Sequence, residues 1–486
     1  MSRENKQKTT QIYPKRFSLL LIPGIVQGIL SFSIIPLSTK ILNPSDFGKF
    51  ALINTITTTT AVLICSGSNY LINNRYEEQK NNQHNQVLIS TVTFLNIFNS
   101  LLISFLIILI FSFLKQKNSF INDIPISYIF LSMIEMIGIS LWTLGITIST
   151  LNKDVKIISI YSIARTIVRN TSIVLCLYFF GIQDALALFI GSACSGILII
   201  LGYFKITDGL IKKRFRIKIA KETFKVGSYF SISNLLELLY KSSETWILAA
   251  YQNLTTLGIF SHAQFYPNFA RTFLQPAQQA AWPTTRTEAK DINPKFLKSK
   301  IIFQFISLCI IFISILFALV GKELISLITN DKFTNSAPFV AILMASSSFR
   351  HFSGRSQHAN LIVNNKPKYS AFAIGGSAFA GILINIILVP KLGIIGSLIA
   401  SIINSITFLI ILYLTSNIIS KTPNFDLGNI LGFILTIILV LIVNIYDLSL
   451  SLRILLLTFF SLIIIRLFSY LIIKNKVLNK IKLNKK

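Results

Sequence analysis

The chain has 486 residues, of which 52% are hydrophobic and only 13% are charged, and its mean hydropathy is +0.66. A soluble protein of this length needs a far more polar surface, so the composition excludes a soluble protein and indicates an integral membrane protein. The net charge of +28 would suggest nucleic-acid binding in a soluble protein. Here the cations lie mostly between apolar segments, so we expect no nucleic-acid partner.

The apolar segments are long, continuous and rich in Ile, Leu and Phe, which predicts transmembrane helices rather than β-barrel strands. The fold class is therefore an all-α integral membrane protein. Allowing about 20 residues per span predicts about 14 transmembrane helices. They are placed at 17–38, 50–68, 87–114, 127–148, 157–180, 184–204, 226–251, 260–282, 300–320, 336–357, 369–390, 393–416, 428–446 and 453–473.

The distribution of Lys and Arg predicts the orientation of these helices. If the N-terminus is cytoplasmic, the cytoplasmic connectors and termini carry about 31 basic residues and the opposite connectors about 8. The asymmetry favours an even number of spans with both termini in the cytoplasm. No cleavage site follows the first apolar run, so we interpret it as a retained helix rather than a signal peptide.

Two motifs recur at almost the same offset and indicate a duplication. GKFAL at Gly48 recurs as GIFSHA at Gly258, and GIQDALALFI at Gly181 recurs as GIIGSLIASI at Gly393. A repeat of six helices keeps both copies in the same orientation, so the repeats are parallel, as in many transporters. The predicted parts are a basic N-terminus 1–16, an N-lobe 17–204, a basic connector 205–225, a C-lobe 226–416, two further helices within 417–473 and a basic tail 474–486.

Three segments resemble the polysaccharide flippases of the multidrug, oligosaccharidyl-lipid and polysaccharide exporter superfamily, which includes the MATE transporters. They are LNPSDFGKFAL at 42–52, LTTLGIFSHAQ at 254–264 and LGIIGSLIASI at 392–402. The resemblance implies a V-shaped, MATE-like transporter of two six-helix lobes with two extra C-terminal helices. It also implies transfer of an undecaprenyl-diphosphate-linked oligosaccharide across the bacterial cytoplasmic (inner) membrane, for O-antigen, capsule or exopolysaccharide synthesis, without enzymatic chemistry.

Arg165 and Arg169 lie at i and i+4 in SIARTIVRNTS, so a helix places both on one face. Charged residues at membrane depth are costly and rarely face lipid. The planar guanidinium group matches two phosphate oxygens, so this spacing predicts a diphosphate clamp on the wall of a cavity. The alternative is that both side chains extend to lipid headgroups near a helix end.

Further polar side chains are predicted to bind the substrate. The additional candidates for the anionic headgroup are Arg271, Arg350 and Arg355. The candidates for glycan contact are Asn234, Tyr266, Asn268, Gln275, Gln278, His351 and His358. Neutral hydrogen-bonding groups and aromatic rings suit carbohydrate, whereas the alternatives are polar packing between helices and a helix end at the cytoplasmic surface.

Glu237, Lys241 and Glu244 share one helix face, and Glu237 with Lys241 has the order that favours an ion pair. This leaves Glu244 without a partner evident from the sequence. We predict that Glu237 or Glu244 binds H⁺ or Na⁺ as a coupling ion, the alternative being a structural bridge to Arg271 or Arg165. Glu135 stands alone and is a packing or coupling residue. No catalytic residue, metal site or other cofactor is expected.

Several other functions remain as alternatives. A multidrug or cation exporter of the same superfamily suits an acidic cavity, whereas seven cations and three acids are placed at membrane depth here. A peptidoglycan-precursor flippase has arginines in its first two helices, where this chain has none. A membrane polysaccharide polymerase generally has a large external loop or a DxD motif, and neither is found. The expected partners are the polyprenyl-diphosphate-linked glycan, membrane lipids, and a polysaccharide polymerase with its chain-length machinery.

Overall fold

The computed structural model describes most of the chain as long helices. The described residues are 26–76, 83–115, 122–152, 155–212, 215–270, 297–352, 361, 367–420, 427–446 and 448–483. They contain no β-strand. The chain divides into two compact units, Met1–Gly258 (unit 1) and Ile259–Lys486 (unit 2).

Unit 1 contains seven long helices within the described residues, together with the start of an eighth. The helices are α1 (Val26–Thr39), α2 (Pro44–Arg75), α3 (Gln83–Lys115), α4 (Ile126–Leu151), α5 (Val155–Val174), α6 (Leu186–Ile206), α7 (Ile217–Tyr251) and α8 (254–270), of which 254–258 belong to this unit. Helix α4 packs most extensively on α6 and α2, α5 packs on α6, and α7 packs on α2.

Unit 2 holds the rest of α8 and the helices that follow it. These are α9 (Leu297–Thr329), α10 (Ala337–Phe352), α11 (Pro367–Leu392), α12 (Ile394–Ser420), α13 (Leu427–Tyr446) and α14 (Leu450–Leu483). Helices α11 and α12 form a tight antiparallel pair, and α13 and α14 pack on α9.

Eight described helices are long and apolar enough to cross a membrane: α2, α3, α4, α6, α9, α11, α12 and α14. Helices α1 and α13 contain shorter apolar stretches. The remaining four, α5, α7, α8 and α10, carry most of the polar residues that the sequence assigns to substrate or ion binding. Helices α5 and α7 are long enough but more polar, whereas the described parts of α8 and α10 are also shorter than the 18 residues a span needs. The protein is multi-pass, and the total number of spans stays a prediction.

Several helices extend beyond the apolar segments predicted for them. Helix α7 begins at Ile217 rather than 226, so the end of the predicted connector 205–225 is helical. Helix α2 begins at Pro44, in the first turn, where a missing N–H is tolerated, and continues to Arg75. Hydropathy detects only the part of a helix inside the membrane, whereas hydrogen bonding continues into the polar ends.

Helix α3 has a polar inner face and an apolar outer face. Asn96, Ser100 and Ser104 are buried, and Ser100 is hydrogen-bonded to Ser140 of α4 at 3.2 Å. The side chains of Phe94 and Phe98 are more than half exposed. This arrangement is typical of membrane helices, because lipid is as apolar as leucine and small polar side chains hold the helices together.

The repeated glycines occupy matching positions in the structure. A Cβ at Gly48 would collide with the carbonyl group of Leu254, and a Cβ at Gly258 would collide with that of Pro44. The first turns of α2 and α8 therefore cross at backbone contact, reciprocally. The second repeated pair, Gly181 and Gly393, has φ of 66° and 57°, values that glycine adopts without strain. Equal local geometry at both matches supports the duplication.

Candidate functional site

Helix α6 packs at backbone contact on α4 and α5, the two helices that carry the charged residues. A Cβ at Gly196 would lie 2.8 Å from the Cα of Glu135 in α4, and a Cβ at Gly191 would lie 2.8 Å from the carbonyl oxygen of Arg169 in α5. Only glycine allows so close an approach of both backbones. The charged side chains of α4 and α5 are therefore held by rigid, closely packed helices.

Arg165 forms an ion pair with Glu135. Its guanidinium Nη2 donates to Glu135 Oε1 at 3.2 Å. The Glu135 side chain is 4% exposed and that of Arg165 is 27% exposed. The sequence left Glu135 alone and gave Arg165 a possible partner in Glu237 or Glu244, but the arginine is instead paired with the acid of α4. A carboxylate so deeply buried requires a cation, and α5 supplies it.

Arg169 lies one turn further along α5 and contacts an aromatic ring instead of an acid. Its guanidinium carbon is 5.7 Å from the ring centre of Phe50 in α2. The Phe50 ring in turn contacts that of Phe189, whose ring stacks on Tyr128 at 4.8 Å. Among the described residues no carboxylate pairs with Arg169. The cation–π contact holds the guanidinium group without neutralising it.

The two arginines and the glutamate together carry one excess positive charge. Side chains at i and i+4 have Cβ atoms about 6 Å apart, which suits two guanidinium groups binding neighbouring phosphate groups. Asn170, next to Arg169, donates its side-chain N–H to the Leu30 carbonyl of α1. The α5 site, defined as Glu135, Arg165, Arg169 and Phe50, is thus a partly buried cationic surface with all its parts in unit 1.

Helix α7 brings Glu244 into the packed interior of unit 1. Glu244 is 4% exposed, and it is engaged by other groups rather than free. Ser242, two residues earlier, is hydrogen-bonded to Thr59 of α2 at 2.6 Å. Glu244 is therefore a buried carboxylate that interacts with its surroundings. Its role in ion coupling stays a prediction.

In unit 2, Tyr266 of α8 lies in a buried network and not on an open surface. Its hydroxyl group is 3.3 Å from Nε2 of His262, and Nδ1 of the same histidine is 2.9 Å from Ser336 Oγ. The His262 ring stacks on Phe333 at 4.5 Å. Tyr266 packs against His262, which contacts the α9–α10 connector, whereas Asn268, also predicted to contact glycan, is exposed.

The other predicted site residues are not placed by the structure. Arg271, Gln275, Gln278, Arg355 and His358 lie outside the described residues. The structure describes the backbone but not the side chains of Asn234, Glu237, Lys241, Arg350 and His351. Their roles stay predictions.

Sequence reasoning missed two parts of the α5 site. The pairing of Glu135 could have been found from charge balance, because it is the only acid predicted at membrane depth in the N-terminal half and Arg165 and Arg169 are the only cations there. Nothing in the sequence singles out Phe50, one of 39 phenylalanines. Its role depends on how α2 crosses α5, which is a property of the packing.

A family model described as "Polysaccharide biosynthesis protein" matches residues 38–338. The chain belongs to this family. The match covers more than half of the 486 residues and includes every residue of the α5 site. Comparison with curated protein sequences found no match.

Solved structures with similar folds are membrane transporters. A lipid II flippase, MurJ, in an inward closed conformation has a TM-score of 0.67 and 16% identity, over 94% of this chain and 99% of that one. An inward-facing multidrug resistance MATE transporter has a TM-score of 0.63 and 14% identity, over 82% and 100%. A Vibrio cholerae MATE transporter has a TM-score of 0.59 and 12% identity, over 86% and 99%. This member of the polysaccharide biosynthesis family therefore has the transporter fold shared by MATE proteins and MurJ.

Proposed function

We propose that the protein is a flippase that moves an undecaprenyl-diphosphate-linked oligosaccharide from the inner to the outer leaflet of the bacterial cytoplasmic membrane by alternating access. The observation that carries the proposal is the excess positive charge at the α5 site, where only one of the two arginines, Arg165, is paired with a carboxylate. The family match to polysaccharide biosynthesis and the transporter fold support it.

A diphosphate is the anion that best suits this surface. Arg169 offers a guanidinium group that no described carboxylate neutralises, and Arg165 can share its remaining N–H groups between Glu135 and a phosphate oxygen. The polyprenyl chain stays in lipid while the headgroup crosses. An inside-negative potential favours outward movement of an anion by about 2.3 kcal/mol per charge per 100 mV.

The direct test is transfer of a fluorescent polyprenyl-diphosphate oligosaccharide from the inner to the outer leaflet of proteoliposomes. We expect wild type to transfer it and the double variant Arg165→Ala, Arg169→Ala to lose transfer. Arg169→Gln alone should reduce transfer about 10- to 100-fold, since a charge-assisted hydrogen bond contributes about 1.5–3 kcal/mol. Arg466→Gln is the matched control, because it removes the same charge from an exposed residue of α14.

Two results would contradict the proposal. One is equal transfer by wild type and the double variant. The other is no transfer of any anionic lipid-linked glycan together with export of an organic cation, which would favour a drug exporter.

The driving force is a separate part of the proposal. Buried Glu244 and Glu135 are the described carboxylates that could exchange H⁺ or Na⁺ as the units move. Replacing each by Gln and measuring transfer under imposed pH and Na⁺ gradients tests this role. Unchanged gradient dependence in both variants would exclude them as coupling residues. In the cell we expect both termini in the cytoplasm and a polymerase with chain-length machinery as downstream partners.

A further inference from the structure

The connector between α6 and α7 exposes cations beside an apolar helix surface. Lys212 and Arg216 are exposed, and Phe215 between them is 47% exposed. The sequence adds two more cations, Lys213 and Arg214, which lie outside the described residues. Cations interleaved with exposed apolar side chains are typical of a segment at a membrane interface.

The connector is held against α3 by its backbone. The N–H of Lys212 donates to Ser90 Oγ at 2.8 Å, and the N–H of Arg216 donates to Thr91 Oγ1 at 3.1 Å. The Phe215 ring meets the edge of Phe94 in α3, with the ring centres 5.3 Å apart. These contacts hold the connector backbone against Ser90 and Thr91 of α3, while the side chains of Lys212 and Arg216 stay exposed on the surface.

The apolar outer face of α3 indicates where Ser90 and Thr91 lie relative to the membrane. Its exposed large hydrophobic side chains are Phe94, Phe98, Leu101, Leu102, Phe105, Leu106, Leu109, Ile110 and Phe113. At 1.5 Å per residue the run from first to last spans about 28 Å, close to the thickness of about 30 Å of a bilayer hydrocarbon core. Residues 85–93 are buried within the protein, so Phe94 is the first side chain of this face that lipid can reach, and the length of the run places it near one edge of the core. Ser90 and Thr91, one turn beyond it, lie at the depth of the lipid phosphates, on the side that the charge distribution assigns to the cytoplasm.

Neither cation is neutralised by a described carboxylate. Within the described ranges no carboxylate pairs with Lys212 or Arg216, and the nearby acid Glu222 is paired with Arg75. Phe94 and Phe98 stack with ring centres 6.4 Å apart and continue the apolar surface into the membrane. A ligand that contacts both the cations and this apolar surface has an anionic phosphate next to a hydrocarbon chain.

We propose that Lys212 and Arg216, together with Phe94 and Phe98, bind an anionic phospholipid of the inner leaflet. The phosphate contacts the two cations and an acyl chain lies along the two rings. The site is distinct from the α5 site and does not depend on what the protein transports. The bound lipid fixes the connector at the membrane surface.

The experiment is native mass spectrometry of the purified full chain in mixed micelles, titrated with phosphatidylglycerol or with phosphatidylcholine of the same acyl chains. We expect wild type to bind phosphatidylglycerol preferentially. The variant Lys212→Gln, Arg216→Gln should bind it about 25-fold more weakly, since each surface cation contributes about fivefold. The matched control is Lys156→Gln, Lys205→Gln, which removes two exposed cations elsewhere in unit 1 and should bind like wild type.

A second variant tests whether the position of Lys212 and Arg216, and not only their charge, is needed for lipid binding. Ser90→Ala, Thr91→Val removes both hydroxyl groups that hold the connector and leaves every cation, so preferential binding should weaken. Three results would overturn the proposal: equal loss in the lysine control, equal binding of both lipids by wild type, and displacement of phosphatidylglycerol by free inorganic diphosphate at equal concentration.

Discussion

Besides the more exposed pair Arg75–Glu222 of unit 1, each unit contains an arginine–glutamate pair with one side chain less than 15% exposed, and the surroundings of these two pairs differ. In unit 1 Arg165 pairs with Glu135, and Arg169 adds a further positive charge one turn away. In unit 2 Arg453 of α14 pairs with Glu323 of α9 at 2.7 Å, and the pair is neutral. Under the proposed function, the net charge of the group, and not the presence of an ion pair, separates a surface expected to bind an anion from a structural contact.

The arginine of the unit 2 pair also donates a hydrogen bond to the backbone of α9 beside a kink in that helix. Helix α9 has non-helical dihedrals at Val320, with φ −125° and ψ 18°. Arg453 Nη1 donates to the carbonyl oxygen of Leu319, just before this kink, at 3.2 Å. A kink removes backbone hydrogen bonds, and a carbonyl group left without a donor in an apolar environment is costly. Arg453 therefore stabilises the kink, and its charge is used within the protein.

The largest expected loss of stability is for Arg165→Met. It leaves Glu135 almost fully buried without a cation, and breaking a buried pair in this way costs about 3–5 kcal/mol. Thermal unfolding of the purified protein should show a lower melting temperature. The double variant Arg165→Met, Glu135→Gln removes both charges and should recover most of the loss. No recovery would show that packing of Arg165, rather than its charge, stabilises the helices.

A smaller loss is expected for Arg453→Met. The Glu323 side chain is 38% exposed, against 4% for Glu135, although its Oε2 is buried. Glu323 therefore depends less on its arginine than Glu135 does, and we expect a cost of about 1–3 kcal/mol. Transfer of the lipid-linked glycan, measured per folded molecule, should be near that of wild type. Loss of transfer in a folded Arg453→Met protein would show that the unit 2 pair is also needed for transport.

The smallest loss of stability is expected for Arg169→Gln. Its contact with Phe50 contributes about 0.5–1 kcal/mol at a partly exposed site, so the melting temperature should change little. Transfer should nevertheless fall as strongly as proposed above. Phe50→Leu is the complementary variant, because it keeps the charge and removes the ring. A variant at Arg169 with full transfer would show that the excess charge has no part in transport.

Much of the fold was predictable from the sequence because hydropathy and charge asymmetry are strong in membrane helices. Each predicted apolar segment overlaps one described helix, and the repeated glycines have matching geometry. The spacing of Arg165 and Arg169 also indicated their common face. The pairing of Glu135, the stacking of Arg169 on Phe50 and the burial of Tyr266 were not predictable, because each depends on contacts between helices distant in the sequence.

The reciprocal crossing at Gly48 and Gly258 also limits which substitutions the repeated motif can accept. Each copy of the motif presents a glycine to the turn preceding the glycine of the other copy. A side chain at either position would push the same two backbone turns apart. The two copies are therefore under a shared constraint, and neither can lose its glycine without disturbing the other.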